Sequence, residues 1–176
     1  MKNTLGLTRW TVELRPHDEQ WHRLFENECK NILDAIGEFV LDIEHVGSTA
    51  ICGISAKPIL DIMVGIARYD DGKNCIAGLE ALGYEYKGDN GVPERHFFGK
   101  GVPRTHHLHM VESKSDFWAC HIAFRDFLRS DKSTALEYDR LKQDLAASFP
   151  EDRESYTNGK LSFVENILQK SGYRDR

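Results

Sequence analysis

The string Val46-Gly47-Ser48-Thr49-Ala50, followed by Ala56-Lys57-Pro58-Ile59-Leu60-Asp61-Ile62-Met63-Val64, holds the densest set of groups able to do chemistry. A glycine lets a phosphate come close to the backbone. Ser and Thr supply hydroxyls and a helix cap, and N–H groups at a helix start attract anions. Lys57 adds positive charge just ahead of Asp61, whose hard oxygens suit Mg²⁺ or Mn²⁺. Gly47, Ser48, Thr49, Lys57 and Asp61 thus form a candidate phosphate-plus-metal arrangement. The plainer reading is a capped turn, a solvated lysine and an aspartate bonded to nearby backbone, because a lone short motif is a weak signal.

A second cluster is Arg104-Thr105-His106-His107-Leu108-His109-Met110-Val111-Glu112. On a strand His107 and His109 point to one side, and Leu108 and Met110 to the other. Paired imidazoles can share a metal ion with Asp61, or one of them can act as acid or base. The competing reading is a half-exposed strand whose histidines bond their neighbours. Glu44 and His45 are a weaker pair, and being adjacent on a strand only one can face a cleft. Later come Arg125, Tyr138, Lys142, Tyr156 and Lys160. Tyr156 and Lys160, four apart, would share a helix face. As a set these residues could line a phosphate-binding wall; singly, each reads as part of a solvated face.

These groups need elements to position them. Trp21, Leu24, Phe25, Ile32 and Ile36 predict a helix from about Asp18, its N-cap, to Ile36, stopped by Gly37. Val40 to Val46 and Ile59 to Ile66 read as strands. In the second, Leu60, Ile62, Val64 and Ile66 share a core face, while Asp61 and Met63 share the other. A carboxylate in so apolar a strand must be solvated, paired or metal-bound, so Asp61 is expected to face a cleft. Asn74 to Leu82 predicts a helix ended by Gly83, then a short strand Tyr84 to Tyr86. Arg95 to Phe98 and Thr105 to Glu112 predict two strands joined by a hairpin loop from Gly99 to Pro103. The remainder predicts helices over Ser115 to Leu128, Ser133 to Phe149 and Asp152 to Lys170. The order implies one α+β domain over residues 1–176, with helices packed on one sheet face.

Bulk properties narrow the partners. The 176 residues carry a net charge of −5 with 40% hydrophobic side chains. That is a soluble chain with a core, and its charge disfavours bulk nucleic acid or an anionic membrane while leaving room for a local basic pocket. Cys29, Cys52, Cys75 and Cys120 form no CxxC, so a zinc cluster is not expected. The N-terminal MKNTLGLTRW lacks a long apolar run, and no stretch is suited to span a bilayer. The expectation is a cytoplasmic protein with reduced thiols.

The string Ile43-Glu44-His45-Val46-Gly47-Ser48-Thr49-Ala50, then Gly53, then Ala56-Lys57-Pro58-Ile59-Leu60-Asp61-Ile62, resembles the signature of the GrpB family. So do His106-His107-Leu108-His109-Met110-Val111 and the tail carrying Phe124-Arg125-Asp126-Phe127-Leu128, Tyr138, Leu141-Lys142, Tyr156 and Lys160-Leu161-Ser162-Phe163-Val164. The resemblance covers nearly the whole chain. Members of that family occur alone in bacteria and fused behind dephospho-CoA kinase, and they are placed in the nucleotidyltransferase superfamily. The resemblance implies a nucleotidyltransferase-like mixed sheet with packed helices and a C-terminal helical segment. It implies that Gly47 and Ser48 hold a nucleotide triphosphate and that Asp61 binds metal, so nucleotidyl transfer would use Asp61 with His109 or His107 as ligand or base. Thr49, Lys57, Arg125, Lys142 and Lys160 would assist phosphate binding. The partner would be a nucleotide or another phosphorylated small molecule.

One departure is Met63, which stands where an active enzyme of this kind has its second acid. Two-metal phosphoryl transfer needs several hard oxygen ligands, and His107 with His109 would suit a softer metal such as Mn²⁺, Zn²⁺ or Fe²⁺. Three functions therefore stand side by side. They are nucleotidyl transfer to a small acceptor, nucleotide or phosphate binding without turnover, and metal-dependent phosphoester hydrolysis through the histidines.

Overall fold

Strand alternation along Leu60–Ile66 (β2) organises the computed structural model, which describes residues 4–173. Leu60, Ile62, Val64 and Ile66 are all fully buried on one side of the strand. Around β2 lie β1 (Asp42–Val46), β3 (Tyr84–Tyr86), β4 (His96–Lys100) and β5 (His106–Glu112), in the order β1-β2-β5-β4-β3. Only the β2–β5 pair is parallel; the other neighbours are antiparallel. A parallel neighbour needs a long crossover. Here it consists of a 3-10 segment Tyr69–Cys75, helix α2 (Ile76–Ala81) and the β3–β4 hairpin.

Helix α1 (Gln20–Ile36) follows the expected spacing. Its Trp21, Ile32 and Ile36 pack with Leu79 of α2 against Leu60, Ile62, Val64, Leu108 and Met110. Burial of each such large side chain contributes roughly 1.5–3 kcal/mol. The helix begins at Gln20, later than expected, with Glu19 at its N-cap position, and Asp18 supports the first turn from outside, its Oδ1 accepting from the Gln20 N–H at 2.9 Å. Gly37 ends the helix differently from expectation. With φ of −56° it stays right-handed, and the chain tightens into a 3-10 turn, Gly37–Phe39.

The opposite sheet face carries Val46, Met63 and Val111, which pack on Trp118 of α3 (Asp116–Ser130). Helices therefore cover both faces, which corrects the one-face expectation. Met63, like Leu60, is fully buried, so the sheet is apolar on both sides and needs a cover on each. Helix α4 (Lys132–Ser148) begins at Asp131, whose carboxylate caps it by accepting from Thr134 N–H at 3.1 Å. Ala135 and Tyr138 of α4 join Ile51, Ile54 and Leu128 in a second apolar cluster.

The helix expected over 152–170 is two helices, α5 (Arg153–Asn158) and α6 (Leu161–Lys170). They part at Gly159, where a Cβ would lie 2.4 Å from Leu145 Cδ2 of α4. Glycine lets Leu145 of α4 pack close here, and glycine is a poor helix former. Strand β4 also outruns its prediction to Lys100, which moves the hairpin loop to 101–105. Among the described residues, no helix is long and apolar enough to cross a membrane.

Candidate functional site

Parallel pairing of β2 with β5 places Asp61 beside His107 and Met63 beside His109 on the α3 side of the sheet. His107 Nδ1 lies 3.0 Å from Asp61 Oδ1. The carboxylate can only accept when ionised, so His107 donates through Nδ1 and keeps Nε2 as its open lone pair. His109 Nε2 is 3.9 Å from Asp61, too long for a hydrogen bond. Its Nδ1 receives a hydrogen bond from Arg95 Nη1 at 3.3 Å. A guanidinium only donates, so neutral His109 carries its proton on Nε2, directed toward the carboxylate.

Burial alone would raise the Asp61 pKa. Hydrogen bonding from His107 and the electrostatic pull of both imidazoles outweigh it, and the carboxyl is held well below the usual range. Burial pushes His109 below an ordinary imidazole despite Asp61. Gly47 closes over this pair with φ of +69°, and a Cβ there would fall 2.4 Å from Asp61 Oδ2. Gly47 is therefore needed for shape as much as for backbone freedom.

The three expected metal ligands thus lie near one another, but Asp61 is bonded to His107 while His109 is bonded to Arg95. Among the described residues, no group of three or more His, Cys, Asp or Glu side chains is placed to hold a metal ion. The donor chemistry gives the reason. A ligating imidazole normally donates its other N–H to an acceptor, whereas Arg95 occupies Nδ1 of His109 as a donor. Met63 is fully buried and offers no oxygen. The residues present therefore do not fit a metal held by Asp61, His107 and His109 together.

Beside Asp61 opens a pocket of about 260 Å³, lined by Gly47, Ser48, Thr49, Lys57, His107 and, from the tail, Tyr138, Arg153, Tyr156, Thr157 and Lys160. Lys57 Nζ sits 4.0 Å over the Tyr156 ring, and Lys160 Nζ sits 4.5 Å from the same ring. Cation–π contacts of this kind hold both ammonium groups without neutralising them. Burial first, then the neighbouring charges of Lys160 and Arg153, push Lys57 down to about 7. Burial also lowers Lys160, against the pull of Asp61. Among the described residues, no carboxylate forms an ion pair with Lys57, Arg153 or Lys160.

Two expected phosphate ligands lie elsewhere. Arg125 is buried against β1, bonded to Glu44, Asp126 and the carbonyl of His45. Lys142 donates to the carbonyl of Ser55 and lies 3.6 Å from Asp139. Their charges already have acceptors, and neither lines the pocket. Conversely, nothing in the sequence singles out Arg153, one arginine in a charged stretch. Tyr156 and Lys160 meet as expected, although Lys160 lies beyond the end of α5 rather than on one helix face with Tyr156.

Glu44 and His45 diverge as strand neighbours must. His45 turns toward α1, stacks on Phe25 at 4.6 Å and bonds Thr49 Oγ1 at 2.9 Å. Burial pushes its pKa down to about 3. The unfolded chain therefore protonates first as pH falls. The stability tied to neutral His45 is complete above about 6.5 and is lost as pH drops toward 3. Between pH 6.5 and 5 the expected loss is roughly 2 kcal/mol. Denaturant titrations at both pH values should show that slope in the wild type and a shallower one in His45→Gln. An equal slope in the variant would remove His45 as the source.

A mixed-sheet α+β scaffold with a cationic pocket against a carboxylate–imidazole pair is thus the class that fold and site define. The chain belongs to the GrpB family, whose model, described as GrpB protein, matches residues 11–170. The glutamate-rich protein GrpB of Alkalihalophilus pseudofirmus is 41% identical over 172 residues, covering 94% of this chain and 99% of that protein. A UPF0157 protein of Pseudomonas aeruginosa is 39% identical over 166 residues, covering 91% of this chain and 67% of the relative. Among solved structures, the conserved protein GrpB from Enterococcus faecalis superposes with a TM-score of 0.84 at 30% identity, over 90% of this chain and 96% of that one.

Proposed function

We propose that this protein binds a phosphate-bearing small molecule, with a nucleotide as the leading candidate, in the pocket between Gly47–Thr49 and Lys57, Arg153 and Lys160. The observation that carries this reading is the convergence of Lys57, Arg153 and Lys160 with no carboxylate at ion-pair distance among the described residues, Asp61 on the same wall being bonded to His107 instead. Desolvated, mutually repelling cations gain most from an anion that bridges them. A pocket of about 260 Å³ takes the phosphate end and leaves the rest of the ligand outside. Binding without turnover is favoured over nucleotidyl transfer or metal-dependent hydrolysis, because the residues do not build a metal cage.

A second reading has one observation behind it. Asp61 stays ionised at the pocket wall and repels a bare phosphate. A divalent ion such as Mg²⁺ or Mn²⁺, carried in by a nucleoside triphosphate, would relieve that repulsion. Thermal-shift measurements with pyrophosphate and with nucleoside triphosphates, each with and without Mg²⁺ or Mn²⁺, test both readings. A probe at about 100 times its dissociation constant adds about 2.7 kcal/mol to native stability. We expect a shift in the wild type and its loss in the Lys57→Ala/Lys160→Ala double variant. The absence of a shift with every phosphate probe would remove the proposal.

A further inference from the structure

A second and larger cavity, about 920 Å³, lies on the far side of the Gly47–Ala50 turn, between α1 and the α3–α4 junction. Thr49 touches both cavities; the other wall residues differ. Ile54, Leu128, Ala135 and the partly exposed Leu136 form its apolar wall, and His17, His22, His45 and Thr49 add polar groups. Volumes of roughly 300–1,000 Å³ with mainly apolar walls and a few convergent polar groups characterise small-molecule sites.

The polar groups are unevenly signed. Arg129 and Lys132 lie at the rim, and Glu19 is the one carboxylate among the lining residues described. Arg129 is oriented by donating from Nε to the Ala50 carbonyl at 2.9 Å, and its carboxylate neighbour, Asp126, stands 3.9 Å from Nη1. Lys132 has no ion pair with a described residue. His17 lines the same wall, and its buried Nδ1 has no hydrogen-bond partner among the described residues. The ring itself packs edge-on against Trp21 at 5.5 Å, so this nitrogen is a buried polar group that a ligand's donor could satisfy.

We infer that this cavity is a separate binding site for a small organic anion with an apolar body, its acid group held by Arg129 and Lys132 and its body by Ile54, Leu128, Ala135 and Leu136. Charge complementarity selects the anion, and the apolar walls select the body. Inorganic phosphate, which has no apolar part, belongs to the other pocket. This inference does not rest on the phosphate reading, because the two cavities use different cations.

The probe is 8-anilinonaphthalene-1-sulfonate, an aromatic anion whose fluorescence reports an apolar site. The expected result is saturable binding at one site per chain, unaffected by pyrophosphate and retained in Lys57→Ala/Lys160→Ala. Lys132→Glu, a change at the rim, is expected to weaken it about tenfold through loss of one charge-assisted contact. Leu136→Asp should weaken it as well, and both variants should keep the wild-type melting temperature within a few degrees. Non-saturable fluorescence, or equal affinity in Lys132→Glu and Leu136→Asp to that of the wild type, would overturn the assignment. Displacement by pyrophosphate would also overturn it by merging the two sites.

Discussion

Asp61→Asn is expected to tighten metal-free phosphate binding and to remove any metal dependence of the phosphate pocket. The amide keeps the carboxylate's shape and can still accept from His107, so the fold should survive. The lost charge is what matters. A unit charge about 5 Å from a phosphate, at an effective dielectric constant near 20, opposes binding by roughly 3 kcal/mol before salt screening. Pyrophosphate without metal should therefore bind at least about tenfold more tightly to the variant. On the reading in which a divalent ion enters with a triphosphate, the gain from Mg²⁺ or Mn²⁺ should disappear in the variant, because Asp61 is the one carboxylate lining that pocket among the described residues. Calorimetric titration of both proteins, with and without metal, gives the two numbers. Unchanged affinities in both arms would place the bound phosphate away from Asp61.

The largest effect on stability is expected from Gly47→Ala. Gly47 has φ of +69° and ψ of −175°, a region that only glycine occupies without strain. The added methyl would also sit 2.4 Å from Asp61 Oδ2 and 3.1 Å from its Cβ. Strain of about 1–3 kcal/mol and a clash with a side chain already fixed by His107 act together. A loss of about 3 kcal/mol corresponds to about 6–12 °C in melting temperature for a chain of this size. Whatever folded protein remains should bind phosphate probes more weakly, because the turn and Asp61 must separate to make room. Gly53→Ala provides the control. Gly53 has φ of +81°, and a Cβ there would meet no atom within 4 Å, so the variant should show the backbone penalty without the loss of binding.

Much of the fold was legible because local pattern and tertiary demand agree. Leu60, Ile62, Val64 and Ile66 alternate, and the structure buries all four. Tyr84–Tyr86 falls where the turn at Gly83 predicts a strand. The break at Gly159 was not legible, since the side chain that packs against it, Leu145, belongs to a different helix. Sheet order was equally out of reach. Pairing β5 beside β2 follows from which faces are apolar on both sides, and that is a property of the assembled sheet. For the site, Asp61 and His107 were found from residue type and strand parity, and they do meet. Arg125 and Lys142 were assigned from charge alone, and charge does not reveal whether an acceptor already waits. Glu44 and Asp126 take Arg125, and the Ser55 carbonyl takes Lys142. Nor did sequence show that Arg95 would fix the His109 tautomer, because Arg95 leads into β4 while His109 stands on β5.

The division of the pocket between sheet and tail has a dynamic consequence. Lys57 and Asp61 belong to the sheet side, whereas Arg153, Tyr156 and Lys160 come from α5 and the turn into α6, whose own helices are short. A phosphate held by both groups would act as a latch, tying the C-terminal segment to the sheet. Part of its binding free energy should then appear as slowed amide hydrogen exchange along 153–170, with little change in β2 and β5, whose buried, fully paired position in the sheet predicts slow exchange without ligand.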